Sequence, residues 1–286
     1  VIRIPRTTLA CIDCALPSLG ARAMALSMRQ CEYGQAMLLT DSPAAALPDL
    51  DARIRVVPIP PLASAREYSR FVMKELAGHV ETDFVQLVQW DGYVIRGEAW
   101  EDAFLDYDYI GARWWFHRPP HDVGNGGFSL RSRRLLEATR DPAVEVADAE
   151  DDAICRVHRA LLEERFGIRY APGAVADRYA FEGSKPTGRE FGFHAIYNLP
   201  RFLGEQALSE VLDAIPEDRF SGSSTVSLVE WLAFAGRKRE ALKYAKRMRA
   251  RRYERVSPDF LGRLLARMPT LVGRNEPCPC GSGRAY

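Results

Sequence analysis

Four features of the 286-residue chain can do chemistry together. Asp91, in Gln89-Trp90-Asp91-Gly92, follows a compact apolar run. A carboxylate at such a strand end can hold a divalent cation beside bound phosphates, or can simply form an Asp-Gly turn. The run VGNGGFSLR, beginning at Val123, offers Gly126 and Gly127 for close approach of backbone to a ligand, and Asn125 tolerates the same unusual dihedrals. A plain loop before a helix is the competing reading. No Gly-Lys-Ser/Thr follows, so this is not a P-loop, and it is a poor dinucleotide fingerprint. Glu150, Asp151 and Asp152 sit where a helix begins. There carboxylates favour the helix dipole, or take a proton from an attacking hydroxyl as a general base. Three neighbouring like charges also shift one another's titration. His194, in Phe191-Gly192-Phe193-His194, is either an ordinary packed histidine or a neutral imidazole offered to a metal already held by a carboxylate.

Apolar periodicity supplies the elements that position these residues. Short apolar runs at Thr8–Ile12, Ala36–Thr40, Ile54–Ile59, Phe84–Val88 and Tyr109–Ala112 read as buried strands. Helical spacing over Leu16–Met28 and Glu67–Ala77 separates them, the latter with Tyr68, Phe71, Val72 and Leu76 on one face. Such alternation predicts an α/β layer with a mostly parallel sheet, whose ligands bind beyond the carboxyl ends of the strands. Asp13, Asp41 and Asp91 follow apolar runs and occupy that end. Asp13 and Asp41 are candidates for contacting a base or ribose, or for capping turns. Downstream, the spacing predicts a basic helix over Arg131–Thr139, a long helix from the acidic cluster to about Arg165, and a last strand at Ile168–Ala171. Beyond Leu199 the pattern is helical, with a helix pair at Val226–Ala235 and Arg239–Arg251.

Hydrophobic residues make up 47% of the chain and charged ones 27%, with a net charge of +1, which excludes a disordered chain. No apolar run reaches the roughly 20 residues of a membrane helix. Residues 201–286 hold 16 Lys/Arg against 10 Asp/Glu, a local excess that marks them off from the acidic first 200. Six cysteines are too few for a disulfide scaffold at this length, and no secretion segment opens the chain at Val1, so the expectation is a cytoplasmic protein. The basic stretch from Arg237 to Arg255 is read first as a solvated helix face; no nucleic-acid motif accompanies it, and no nucleic-acid partner is expected.

Together, the strings QWDGYV, DYDYIGARWW, VGNGGFSLRSRRLL, AEDDAIC, GIRYAP and FGFH resemble a family of bacterial and fungal glycosyltransferase-like proteins long labelled as a domain of unknown function. The likeness is strongest from Asp83 to His194 and extends more weakly back to about Thr8. It implies an α/β, GT-A-like (Rossmann-like) domain over residues 1–200, a helical appendage over 201–270, and a tail over 271–286. Carried over by position, Asp91 stands in the family's metal motif, Gly126 and Gly127 in its glycine loop, Glu150 and Asp151 in its base motif, and His194 in its last motif. The usual metal motif has two Asp flanking one residue. Gln89 takes the first place here, so Asp91 is left alone or supported by His194. The resemblance thus implies sugar transfer from a nucleotide donor, a UDP-sugar for preference, to a hydroxyl acceptor, with Asp151 as base, inversion at the anomeric carbon, and Mn or Mg as cofactor. Tyr93, Trp114 and Trp115 are candidates for stacking on sugars or for core packing. A non-catalytic adaptor on a degenerate transferase fold is the alternative, favoured by Gln89.

The tail GRNEPCPCGSGRAY, starting at Gly273, resembles the SEC-C motif, a small zinc-binding tag. Cys278 and Cys280 supply two thiolates, whereas a closed zinc site needs four ligands. The expectation is no tight zinc site unless a second pair follows. By analogy such a tail docks a protein partner.

Overall fold

The computed structural model describes residues 1–47, 49–220 and 222–249, in two compact units, 1–194 and 195–286. The first unit opens with β1 (Ile2–Ile12), α1 (Pro17–Gln30), β2 (Cys31–Thr40), β3 (Arg55–Pro58), α2 (Ala65–Lys74) and β4 (Phe84–Val88). These form a four-stranded parallel block in the order β3-β2-β1-β4. The β1 and β4 strands are covered on both faces, as their continuous apolar runs require. Leu9, Cys11, Leu38 and Val88 share one core with Met24 of α1. The intervening Ala10, Met37, Leu39 and Leu87 share another with Phe71 and Val72 of α2. Both helix starts are set locally. Asp13 accepts the Ala15 and Leu16 N–H groups before α1, and Ser64 accepts Glu67 N–H at α2 while Glu67 reaches back to Ala63.

From β1 the chain moves to one side through β2 and β3, then returns to β4 on the other side of β1. This reversal makes the carboxyl ends of β1 and β4 the point of the sheet where open α/β sheets bind ligands. Beyond β4, the short strands β5 (Tyr93–Val94) and β6 (Tyr109–Ile110) precede β7 (Phe128–Ser132), α3 (Arg133–Ala138), α4 (Glu150–Asp152), α5 (Arg159–Phe166), α6 (Gly173–Tyr179), β8 (Ala180–Phe181) and β9 (Gly192–Phe193). The β7 strand joins β4 antiparallel and carries β6 at the edge, so the six-stranded sheet is mixed. A second sheet, β5-β9-β8, brings the end of β9 beside the turn after β4. The architecture is α/β and Rossmann-like.

Three sequence expectations change. The segment after the glycine loop is not helix from Arg131. Phe128–Ser132 is a strand, and the helix starts at Arg133 with Ser132 as its cap. Arg131, the first residue of the expected helix, is a fully buried strand residue. The helix from the acidic cluster does not run unbroken. A π-turn at Ala153–Val157, closed by His158 N–H donating to Ala153 O at 2.8 Å, interrupts it before α5. Ile168–Ala171 contributes one bridge, Tyr170 to Tyr109, rather than a strand.

The second unit is helical over its described part, with α7 (Glu205–Asp213), α8 (Ser223–Phe234) and α9 (Lys238–Arg249). Arg237 caps this unit internally, donating to the Pro200 and Leu203 carbonyls and pairing with Glu240. Among the described residues no helix is long and apolar enough to cross a membrane. Cys278 and Cys280, and the end of the expected Arg239–Arg251 helix, lie outside the described residues.

Gly111, just after β6, faces the glycine-loop backbone. A Cβ there would collide with Gly124 O and come within 2.6 Å of Asn125 O, neither of which is the end of a flexible side chain. Gly111→Ala is expected to cost about 1–3 kcal/mol or more of stability, as overpacking does, read as a lower urea midpoint.

Candidate functional site

The acidic turn is fastened to the sheet by a buried ion pair. Arg131 on β7 is fully buried, and its guanidinium donates to Glu150 Oε1 at 2.7 Å and to Ser129 Oγ at 3.0 Å. It also lies 5.3 Å from the centre of the Tyr109 ring. Gly126 is where this pair meets the loop. A side chain there would strike Glu150 Oε1, with the Arg131 guanidinium 2.9 Å away. Glycine is therefore demanded by close approach. Asn125 is the residue with the left-handed backbone, at φ 62°, a region Asn enters more readily than most residues.

Asp151 is thereby brought to the glycine loop. Its Oδ2 accepts the Gly126 N–H at 2.9 Å, and its Oδ1 accepts the Asp152 N–H at 2.8 Å. Burial and then repulsion from Glu150 raise its carboxyl from 3.8 to about 6, although those N–H groups and Arg131 pull the other way. A carboxylate poised near neutrality suits proton abstraction at physiological pH. Glu150, taken by Arg131, holds the turn in place.

His194 enters from the end of β9, and both its ring nitrogens are engaged. Nε2 lies 3.2 Å from Gln89 Oε1 and 3.3 Å from Asp91 Oδ1. Nδ1 lies 3.1 Å from Asn125 Nδ2 and 3.5 Å from Glu182 Oε1. Burial alone would push the imidazole down, but Asp91 and Glu182 outweigh it and raise it to about 10. Gly127 passes directly over the ring, so that a Cβ there would strike Nε2, and its carbonyl accepts Gln89 N–H at 2.9 Å. Gln89 in turn donates to Tyr68 Oη of α2 at 3.3 Å.

The structure thus brings Asp91, Asn125, Gly126, Gly127, Glu150, Asp151 and His194 together. Asp13 and Asp41 lie at the same end of the sheet. Asp13 and Asp91 both act on the buried Cys11 thiol, whose burial pushes it well above its ordinary value, while burial chiefly, with the Asp41 charge, raises the Cys14 thiol. Asp13 spends one oxygen on capping. Tyr93 and Trp114 pack inward, whereas Trp115 is exposed. Arg131, Glu182, Tyr68 and the pairing of Gln89 with His194 were missed by sequence reasoning. Spacing gives no sign of the two ion pairs, though the QWDG string did mark Gln89.

For a divalent cation the donor set is Asp91 and His194, and His194 does not fit it. Each ring nitrogen already faces two polar groups, and a metal would have to displace them. Among the described residues no group of three His, Cys, Asp or Glu is arranged to hold a metal ion.

Residues 51–194 match the family described as protein of unknown function (DUF5672), and residues 274–286 match the SEC-C motif. No curated protein matches the chain.

Two outcomes follow from the acidic turn. Glu150→Ala leaves the buried Arg131 charge uncompensated and is expected to cost about 3–5 kcal/mol, while the double variant Arg131→Met/Glu150→Leu recovers most of that loss in denaturant unfolding. Because folding raises the Asp151 carboxyl from 3.8 to about 6, the native state binds the extra proton. Its contribution is fully present below about pH 4 and is lost as the pH rises through about 6. Asp151→Asn should therefore gain stability over the parent above about pH 6 and none below about pH 4, read from melts across that range.

Proposed function

Because the chain belongs to the DUF5672 family of proteins of unknown function, we propose its activity from the chemistry of the site. The first unit is a GT-A-like glycosyltransferase domain that moves a sugar from a nucleotide-sugar, a UDP-sugar for preference, to a hydroxyl acceptor. The observation that carries this reading is the gathering of Asp91, the glycine loop, Asp151 and His194 beyond the carboxyl end of β4, where the strand order reverses. That is where an α/β sheet accepts a phosphorylated ligand, and it is lined there by a carboxylate of raised pKa.

In the proposed step the acceptor oxygen attacks the anomeric carbon from the face opposite the diphosphate. The new C–O bond forms as the old one breaks, and the nucleoside diphosphate departs with the bonding electron pair. The acceptor proton passes to Asp151, and the anomeric configuration inverts. Asp13 and Asp41, beyond β1 and β2, are placed to meet the nucleoside half of the donor. His194, tied to Asp91, Gln89, Asn125 and Glu182, fixes the turn after β4 against the glycine loop. No step is assigned to a metal, since His194 is not free to ligate one; Mn or Mg enters the reading only through the family likeness.

A second reading is a non-catalytic adaptor. It is favoured by Gln89, which hydrogen-bonds His194 where a carboxylate would otherwise stand, and by the SEC-C match, which suits a protein partner.

A screen of nucleotide-sugars for donor hydrolysis and transfer, with and without manganese, tests the two. Turnover in the parent that falls by about 10²–10⁴ in Asp151→Asn, with a cooperative melt retained, supports the enzyme. Calorimetry showing no binding of any nucleoside diphosphate, with or without manganese, would favour the adaptor.

A further inference from the structure

The segment 113–123 leaves the β6 edge of the sheet and is pinned at its base. Arg113 bridges Val123, and Trp114 N–H donates to Asp122 O at 2.8 Å. The Arg113 guanidinium pairs with Asp122 at 2.8 Å and Asp177 at 3.1 Å. Trp114 folds inward over Gly124, where no side chain would fit. Trp115 and Phe116 follow at the surface, and the Phe116 ring stacks on Trp114 at 6.0 Å. Trp115 is 78% exposed and Phe116 57%, and their rings meet edge to face at 5.5 Å.

These rings are not remote from the site. A Cβ on Gly183 would lie 2.7 Å from Trp115 Cδ1, so the indole rests on that backbone. The preceding residue is Glu182, whose carboxylate faces His194 Nδ1 at 3.5 Å. The aromatic pair therefore stands at the rim of the cluster. It is on the β6 side of the sheet, away from the β1 and β2 ends that carry Asp13 and Asp41. Donor and acceptor need opposite approaches to an inverting centre, and this is the side left over.

Exposed aromatics rimmed by polar groups mark ligand grooves. A protein partner would need roughly 800 Å² per side and about 20–30 residues. Within the described first unit the other large exposed apolar side chains are only Val1 and Val157. Two exposed rings match a pyranose instead, whose C–H face packs on an aromatic plane. We infer that Trp115, with Phe116, is a stacking platform for a carbohydrate acceptor beside the transferring centre. The word acceptor rests on the transferase reading above; the carbohydrate platform does not.

The full chain is applied to an array of hexose, N-acetylhexosamine, deoxyhexose and uronic-acid oligosaccharides. Binding is expected to at least one class. Trp115→Ala should weaken it by roughly tenfold, the scale of one aromatic stacking contact, and Trp115→Phe should retain most of it. An unchanged melt checks that the exposed position is not needed for folding. Equal binding by the parent and Trp115→Ala, or no binding to any class, overturns the platform. UDP calorimetry on the parent is the separate arm. Trp115-dependent glycan binding without UDP binding retires the transferase reading and keeps the platform, whereas UDP binding with Trp115-independent glycan binding retires the platform alone.

Discussion

The buried pair of Arg131 and Glu150 is the constraint on which the rest of the site depends. A fully buried guanidinium is tolerable only with its charge balanced and its donors occupied, and Glu150, Ser129 and the Tyr109 ring supply most of that. The pair joins β7 to the acidic turn, two segments that neither pair as strands nor share a helix. Once Glu150 is fixed, Asp151 is fixed one residue on, and its carboxylate meets the Gly126 N–H. The Asp151 carboxylate is thus placed by an interaction it does not make itself.

A second constraint is steric. The glycine loop runs between two charged side chains, with Gly126 against Glu150 and Gly127 against His194. Neither glycine uses a positive φ, which falls to Asn125. The loop is therefore a spacer of minimal thickness, letting the acidic turn from one side and the histidine from the other close on the same backbone. The small β5-β9-β8 sheet does the complementary work by carrying His194 back to Asp91 across more than a hundred residues.

Much of the fold was legible in the sequence. The Phe84–Val88 run is the observed β4, and the strand–helix alternation up to that point reproduces the parallel block, because a strand covered on both faces must be apolar throughout. The reading faltered where charge was buried. The spacing puts Arg131 in the basic helix Arg131–Thr139, whereas it is a buried strand residue whose partner lies 19 residues away, and local spacing cannot see a partner at that distance. It faltered again at Ala153–Val157, where a π-turn keeps helical spacing while breaking the helix. The cluster members themselves were legible as chemistry-bearing residue types, but the ion pair that takes up Glu150 and leaves Asp151 on the glycine loop was not, since Arg131 lies 19 residues away along the chain.

What the sequence determined by itself was the set of elements and the candidates: apolar period, turn residues, carboxylates after apolar runs, glycines and a histidine. These follow from short-range physics, in which each residue's type acts on neighbours a few positions away. Tertiary structure alone decided which candidates meet, that His194 is engaged on both nitrogens, that Trp114 turns inward and Trp115 outward, and that Asp151 carries a raised pKa. Those depend on burial and on charges brought close by strand order, and through-space distance is not a function of separation along the chain.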